Sequence, residues 1–196
     1  FRVVRMDDNG TIIWDNIYGG TEHDFGLTAA TTQDGGLIVA GSTHSFNSQN
    51  RDGYVTKIDA NGVQVWQTTI GGPYPDYFND IKRTSDGNYV LVGTTHVQET
   101  SEESDMYIVL INEDSDILFE TNVGGDSWDE GYAVVQMDDR GFLCAGCSFD
   151  PNAGVMNGYG VRLDEFGNIL WTDPGWGDED GYQEIRDMIL WDGDFV

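Results

Sequence analysis

The chain repeats itself at a fixed interval, and no other feature restricts its fold so sharply. The phrase "IIWDNIYGG" at 12–20 returns as "VQVWQTTIGG" at 63–72 and "DILFETNVGG" at 116–125, and an altered copy, "NILWTDPGWG", stands at 168–177. Trp14, Trp66, Phe119 and Trp171 are spaced by 52, 53 and 52 residues, and Gly20, Gly72, Gly125 and Gly177 keep the same intervals. The turn stretches "DDNG" (7–10), "DANG" (59–62), "NEDS" (112–115) and "DEFG" (164–167) share that register. A second turn series runs "DGG" (34–36), "DGN" (86–88), "DRG" (139–141) and "DGD" (192–194).

One unit shows what is repeated. "FGLTAATTQ", a turn, "LIVAGSTHS", a loop, "GYVTKIDA", an Asn-Gly turn and "VQVWQTTI" follow one another. These segments are short, rich in Val, Ile, Thr, Tyr and Trp, and punctuated by Asp-Gly and Asn-Gly, the pattern of antiparallel hairpins. Four strands per unit of about 52 residues predict an all-β fold, a β-propeller of four-stranded blades with strands A to D running from axis to rim. The expected division of a single domain over 1–196 is blade 1 at 21–72, blade 2 at 73–125 and blade 3 at 126–177, with the second half of a fourth blade at 1–20 and its first half at 178–196. Those two halves either close a four-bladed ring or belong to a larger propeller.

In this frame the aromatic of each phrase, Trp14, Trp66, Phe119 or Trp171, lies on strand D, where a large ring can cover the flank of the next blade. The Gly-Gly lets the chain turn back from rim to axis. Asp24, Asp76 and Asp129 follow the last Gly by four residues and are placed to accept amides of their own loop. The motif GG-x-x-x-D, an Asp-Gly turn, then D-x-x-G before a Trp strand resembles the repeats of secreted, multi-repeat β-propeller proteins of bacteria and archaea, the seven-bladed-propeller type. That resemblance implies a surface or extracellular setting and a recognition or adhesion role. The fourth copy departs from it, having lost one Gly in "GWGDEDG".

Charge narrows the partners. Thirty-five acids against nine bases give a formal net charge of −26. Such a surface repels phosphate backbones and anionic lipid, which excludes nucleic acid and membrane insertion as expected partners. It suits salty water, where screening relieves self-repulsion. The Asp-rich loops are also the place where calcium would find oxygen ligands, with Asp24, Asp76 and Asp129 as candidates.

Catalytic patterns are sparse. There is no Gly-x-Ser-x-Gly elbow, no His-Glu-x-x-His pair and no phosphate-cradling glycine loop. His44 and His96, 52 apart, fall at equivalent ends of strand B. Cys144 and Cys147 are three apart on one predicted strand, about 10 Å between Cα atoms and on opposite faces, which is too far for a disulfide. Binding is therefore expected on the face built by the D–A and B–C loops. Its B–C loops, "FNSQNRD", "VQETSEESD" and "FDPNAGVMN", differ most between units, and its D–A loops are expected to carry Tyr74, Trp128 and Trp176. The expected function is a non-catalytic recognition module of a secreted or cell-surface protein, binding carbohydrate or protein there through Tyr74, Trp128, Trp176, His44 and His96. An extracellular polysaccharide hydrolase or lyase using paired carboxylates, and a structural spacer of a surface filament or layer, are the alternatives.

Overall fold

The computed structural model describes residues 1–46, 48, 50–98, 103–176, 181–191 and 194–195. They form three complete four-stranded antiparallel sheets flanked by two two-stranded ones. The opening hairpin is β1 (Arg2–Met6) and β2 (Ile12–Ile17). Blade 1 is β3 (Asp24–Thr31), β4 (Leu37–Thr43), β5 (Asp52–Ile58) and β6 (Gln64–Ile70). Blade 2 is β7 (Asp76–Arg83), β8 (Tyr89–His96), β9 (Ser104–Ile111) and β10 (Ile117–Val123). Blade 3 is β11 (Asp129–Gln136), β12 (Phe142–Asp150), β13 (Val155–Leu163) and β14 (Ile169–Trp176), and a short pair, β15 (Leu190–Trp191) and β16 (Asp194–Phe195), ends the chain. Each complete sheet keeps sequential order from strand A to strand D. Among the described residues, no helix is long and apolar enough to cross a membrane.

The blades stack face to face, and strand periodicity explains why blade 2 reads as almost continuous apolar runs. In β8, Tyr89 and Leu91 join the cluster shared with Ile38, Ala40 and Val55 of blade 1. Their alternates Val90 and Val92 join Val134, Cys144 and Val161 of blade 3. In β9, Tyr107, Val109 and Ile111 face one way and Met106, Ile108 and Leu110 the other. A sheet buried on both faces needs apolar residues at both parities, whereas a half-exposed sheet alternates.

The repeated aromatic joins neighbouring blades. Trp14 Nε1 donates to the Ala60 carbonyl at 3.0 Å, and Trp66 Nε1 donates to the Glu113 carbonyl at 3.0 Å, each on the C–D turn of the following blade. Gly62, at φ +83°, lies beneath the Trp14 ring, and a Cβ on Gly167, at φ +85°, would strike the Phe119 ring. The turns themselves are tied by their first residue: Asp59 Oδ1 accepts the amides of Asn61 and Val63, both at 2.8 Å. Trp171 differs. It is 40% exposed and leans edge-on against Trp176 at 6.3 Å instead of covering a turn.

The opening hairpin and the C-terminal pair are separate two-stranded sheets among the described residues; Phe1, Val3 and Trp14 of the opening segment pack with Val39 and Ile58 of blade 1, and Ile185 and Met188, ahead of the C-terminal pair, pack on blade 3. The altered fourth phrase also folds differently from its sisters. Trp176 belongs to β14, opposite Gly158, with an irregularity where Gly160 pairs Asp173, so it is not in a D–A loop. Residues 177–180, where the lost Gly is expected to reshape the loop, lie outside the described residues.

Candidate functional site

The D–A and B–C loops meet on one end of the blades through a bond that recurs in each. His44 N donates to His23 O at 2.8 Å, His96 N to Pro75 O at 2.9 Å, and Phe149 N to Trp128 O at 2.9 Å. Beside each, an aspartate closes the Gly-Gly turn: Asp24, Asp76 and Asp129 accept the amides of Gly20, Gly72 and Gly125 at 2.7, 2.8 and 2.9 Å. Asp24 also takes the hydroxyls of Thr43 and Ser45. The three carboxylates thus serve three separate turns. Among the described residues, no three His, Cys, Asp or Glu side chains converge on a point where a metal ion would fit. Each of the three aspartates expected as calcium ligands is held by its own loop.

Their surroundings are nonetheless unusual. Asp76 is fully buried, and its Oδ1 has no hydrogen-bond partner. Burial pushes its pKa up to about 6, with the charges of Asp52 and Glu120 acting in the same direction. Asp129 is likewise raised by burial. Asp105, at the equivalent of Asp52, is raised by burial and by Asp129, and a Cβ on Gly124 would touch both of those carboxylates.

Each blade has a cleft beside its Gly-Gly turn, backed by the tyrosine of strand C and a residue of strand D diagonal to it. In blade 2 the cleft is about 590 Å³, lined by Tyr74, His96, Tyr107, Glu120 and Asn122 among others. Its blade 3 counterpart, beside Tyr159 and Thr172, is about 360 Å³. That of blade 1, beside Tyr54 and Gln67, is about 240 Å³.

A separate cleft of about 510 Å³ lies where blades 2 and 3 meet, lined by Glu103, Asp126, Trp128, Phe149, Met156 and Tyr182. Trp128 is 44% exposed, and its ring is fixed by the bond from Nε1 to Glu130 Oε1 at 2.7 Å. Glu130, only 8% exposed, also accepts the hydroxyls of Tyr77, at 3.0 Å, and Tyr132. Arg51 lies 4.4 Å over the Tyr77 ring and Arg186 lies 4.0 Å over Tyr132. His96 has its pKa lowered by burial, opposed by Glu130 and reinforced by Arg51.

The structure therefore ties Trp128 to Glu130, puts Tyr74 with His96 in the blade 2 cleft, joins His44 to His23 through the backbone, and leaves Trp176 on strand D. Arg51, Tyr77, Glu130 and Tyr132 escape a reading based on repetition. The available signal is divergence: Phe25, Tyr77 and Glu130 hold one repeat position with three chemistries. Tyr132 is a bulge residue, as are Leu27 and Asn79 at the equivalent break in β3 and β7. The extra residue turns its side chain off the alternating pattern.

No family model matches the chain. Over 87 residues, 38% of this chain, it is 29% identical to the regulatory protein FlaEY of Caulobacter vibrioides, and it spans 9% of that protein's length. A protein of unknown function from Bacteroides caccae superposes on 99% of the chain with a TM-score of 0.60 at 11% identity, and the chain covers 60% of it. The endo-arabinase of Bacteroides thetaiotaomicron is similar over 74% of this chain and 59% of its own, with a TM-score of 0.49 and 12% identity. The likeness to the Bacteroides caccae protein is one of fold, an all-β array of four-stranded sheets.

Proposed function

We propose that this chain is a non-catalytic β-propeller recognition module of a secreted or cell-surface protein, and that its D–A/B–C face binds carbohydrate. The observation that carries the reading is the Trp128 cleft. A half-exposed indole, immobilised through Nε1, offers a flat apolar face with Phe149 and Tyr182 nearby, while Asp126 and Ser127 line the same space with acceptors. Sugar rings present apolar C–H faces and a fringe of hydroxyl donors, so a rigid aromatic shelf bordered by carboxylates complements them. The motif resemblance to secreted propeller repeats supports the surface setting.

A glycan array, run with and without calcium, identifies the ligand, and calorimetry on Trp128→Ala tests the site. The substitution is expected to weaken binding by about 1 kcal/mol or more with the fold intact. Unchanged affinity in Trp128→Ala overturns the assignment. Turnover of a polysaccharide in a parallel panel overturns the non-catalytic reading.

A further inference from the structure

The Trp128 cleft is built from positions that the repeats make equivalent and that only here combine as three aromatic residues. The bond from Phe149 N to Trp128 O is the one that His44 makes to His23 and His96 to Pro75. Tyr182 stands one repeat after Trp128 in the same place, because Met156 bridges Tyr182 as Ser104 bridges Trp128. Indole, phenyl and phenol rings therefore line one cleft of about 510 Å³, where the other blades hold imidazoles and a proline. Trp128 is 44% exposed and Tyr182 71%. Among the described residues, none of the three rings is stacked on by another ring. The faces of Trp128 and Tyr182 are open to a ligand.

The charge of this cleft has one sign. Glu103 and Asp126 line it, and no Lys or Arg does. Glu103 accepts the Gln98 amide at 2.8 Å, whereas the Asp126 carboxylate has neither a hydrogen bond nor an ion pair among the described residues. The whole chain, at −26, adds a field that draws cations and repels anions. Aromatic faces attract a cation as well, the indole most strongly. A neutral sugar would use the ring faces and leave Asp126 without a counter-charge, and a uronic acid would be repelled. A sugar that carries an ammonium group uses both features.

We propose that the Trp128 cleft selects amino sugars, with Trp128 as the platform for the sugar ring and Asp126 as the counter-charge of its ammonium group; this rests on the carbohydrate reading above. The probes are methyl glucosaminide, which has one free amine, and its N-acetyl counterpart, which keeps the ring and removes the charge. Each is titrated at pH 6 and physiological salt, followed by amide NMR. Methyl glucosaminide should bind more tightly and shift the amides around Ser127, Trp128 and Phe149. Asp126→Asn removes a charge and no contact; it should weaken the glucosaminide about tenfold, the loss of one charged interaction, and leave the N-acetyl sugar unchanged. Asp8→Asn removes the same charge from the exposed turn between β1 and β2, at the other end of the strands, and should change neither probe. Trp128→Ala should weaken both. Equal affinity for the two probes, tighter binding of the N-acetyl sugar, or full glucosaminide affinity in Asp126→Asn would overturn the amino-sugar proposal and, so long as Trp128→Ala weakens both, leave the carbohydrate reading standing. Equal weakening by Asp8→Asn and Asp126→Asn would trace the preference to the general field and overturn it as well. No binding of either probe, or unaltered binding of both in Trp128→Ala, would overturn the two readings together.

Discussion

Asp76→Asn should stabilise the protein at neutral pH and not at acid pH. The carboxyl is fully buried with Oδ1 unpartnered, and its pKa in the folded chain is about 6 against an ordinary 3.8. Folding therefore favours the protonated form. Below about pH 3 the group is protonated whether folded or unfolded, and it exerts no penalty. As pH rises toward 6 the unfolded chain releases the proton first, so stability falls across that window. Above it, the ionised carboxylate costs the folded state about 3 kcal/mol, taken from the displacement between those two values. Asparagine keeps an oxygen for the Gly72 amide, bonded at 2.8 Å in the native turn, and carries no charge. The stability difference between variant and native protein should grow by about 3 kcal/mol from about pH 3 to pH 7, on the order of 6–12 °C in melting temperature for a domain of this size. Urea and thermal unfolding at constant ionic strength over that range measures it. A difference independent of pH, or native protein gaining on the variant as pH rises, would refute the argument.

Two further outcomes test the packing. Trp66→Phe removes the bond to the Glu113 carbonyl but retains a ring on the neighbouring turn, as Phe119 does naturally, and should cost about 1 kcal/mol in urea unfolding. Trp66→Ala should cost about 3 kcal/mol or more, whereas the exposed Trp171 should tolerate alanine far better. Cys144 and Cys147 are both buried and free, with the Cys147 thiol pushed up to about 11 by burial and Cys144 raised further. Neither should react with a disulfide reagent at pH 8 until the protein is denatured, when both should titrate; mass spectrometry showing a bridge between them would contradict the register of β12.

The blade pattern was legible in the sequence because each unit must present the same two faces to its neighbours. Trp14 and Trp66 recur at one interval because each needs the next C–D turn beneath it, and Asp59 and its equivalents, Asn112 among them, recur because an Asx turn needs a side-chain oxygen on its first residue. Local hydrogen bonding and strand parity are written in nearest neighbours along the chain, so composition and spacing determine them. The candidate sites obey no such rule. Glu130 gathers Tyr77 from one blade and Trp128 and Tyr132 from its own, a set assembled only when strands A are brought together. Phe46 reaches Tyr54 only with its backbone at φ +59°, a loop conformation that the spacing of the repeats does not encode. Repetition determined the frame, because packing demands the same answer at every joint; tertiary structure decided the sites, because they lie where neighbouring blades contribute unlike residues to one space.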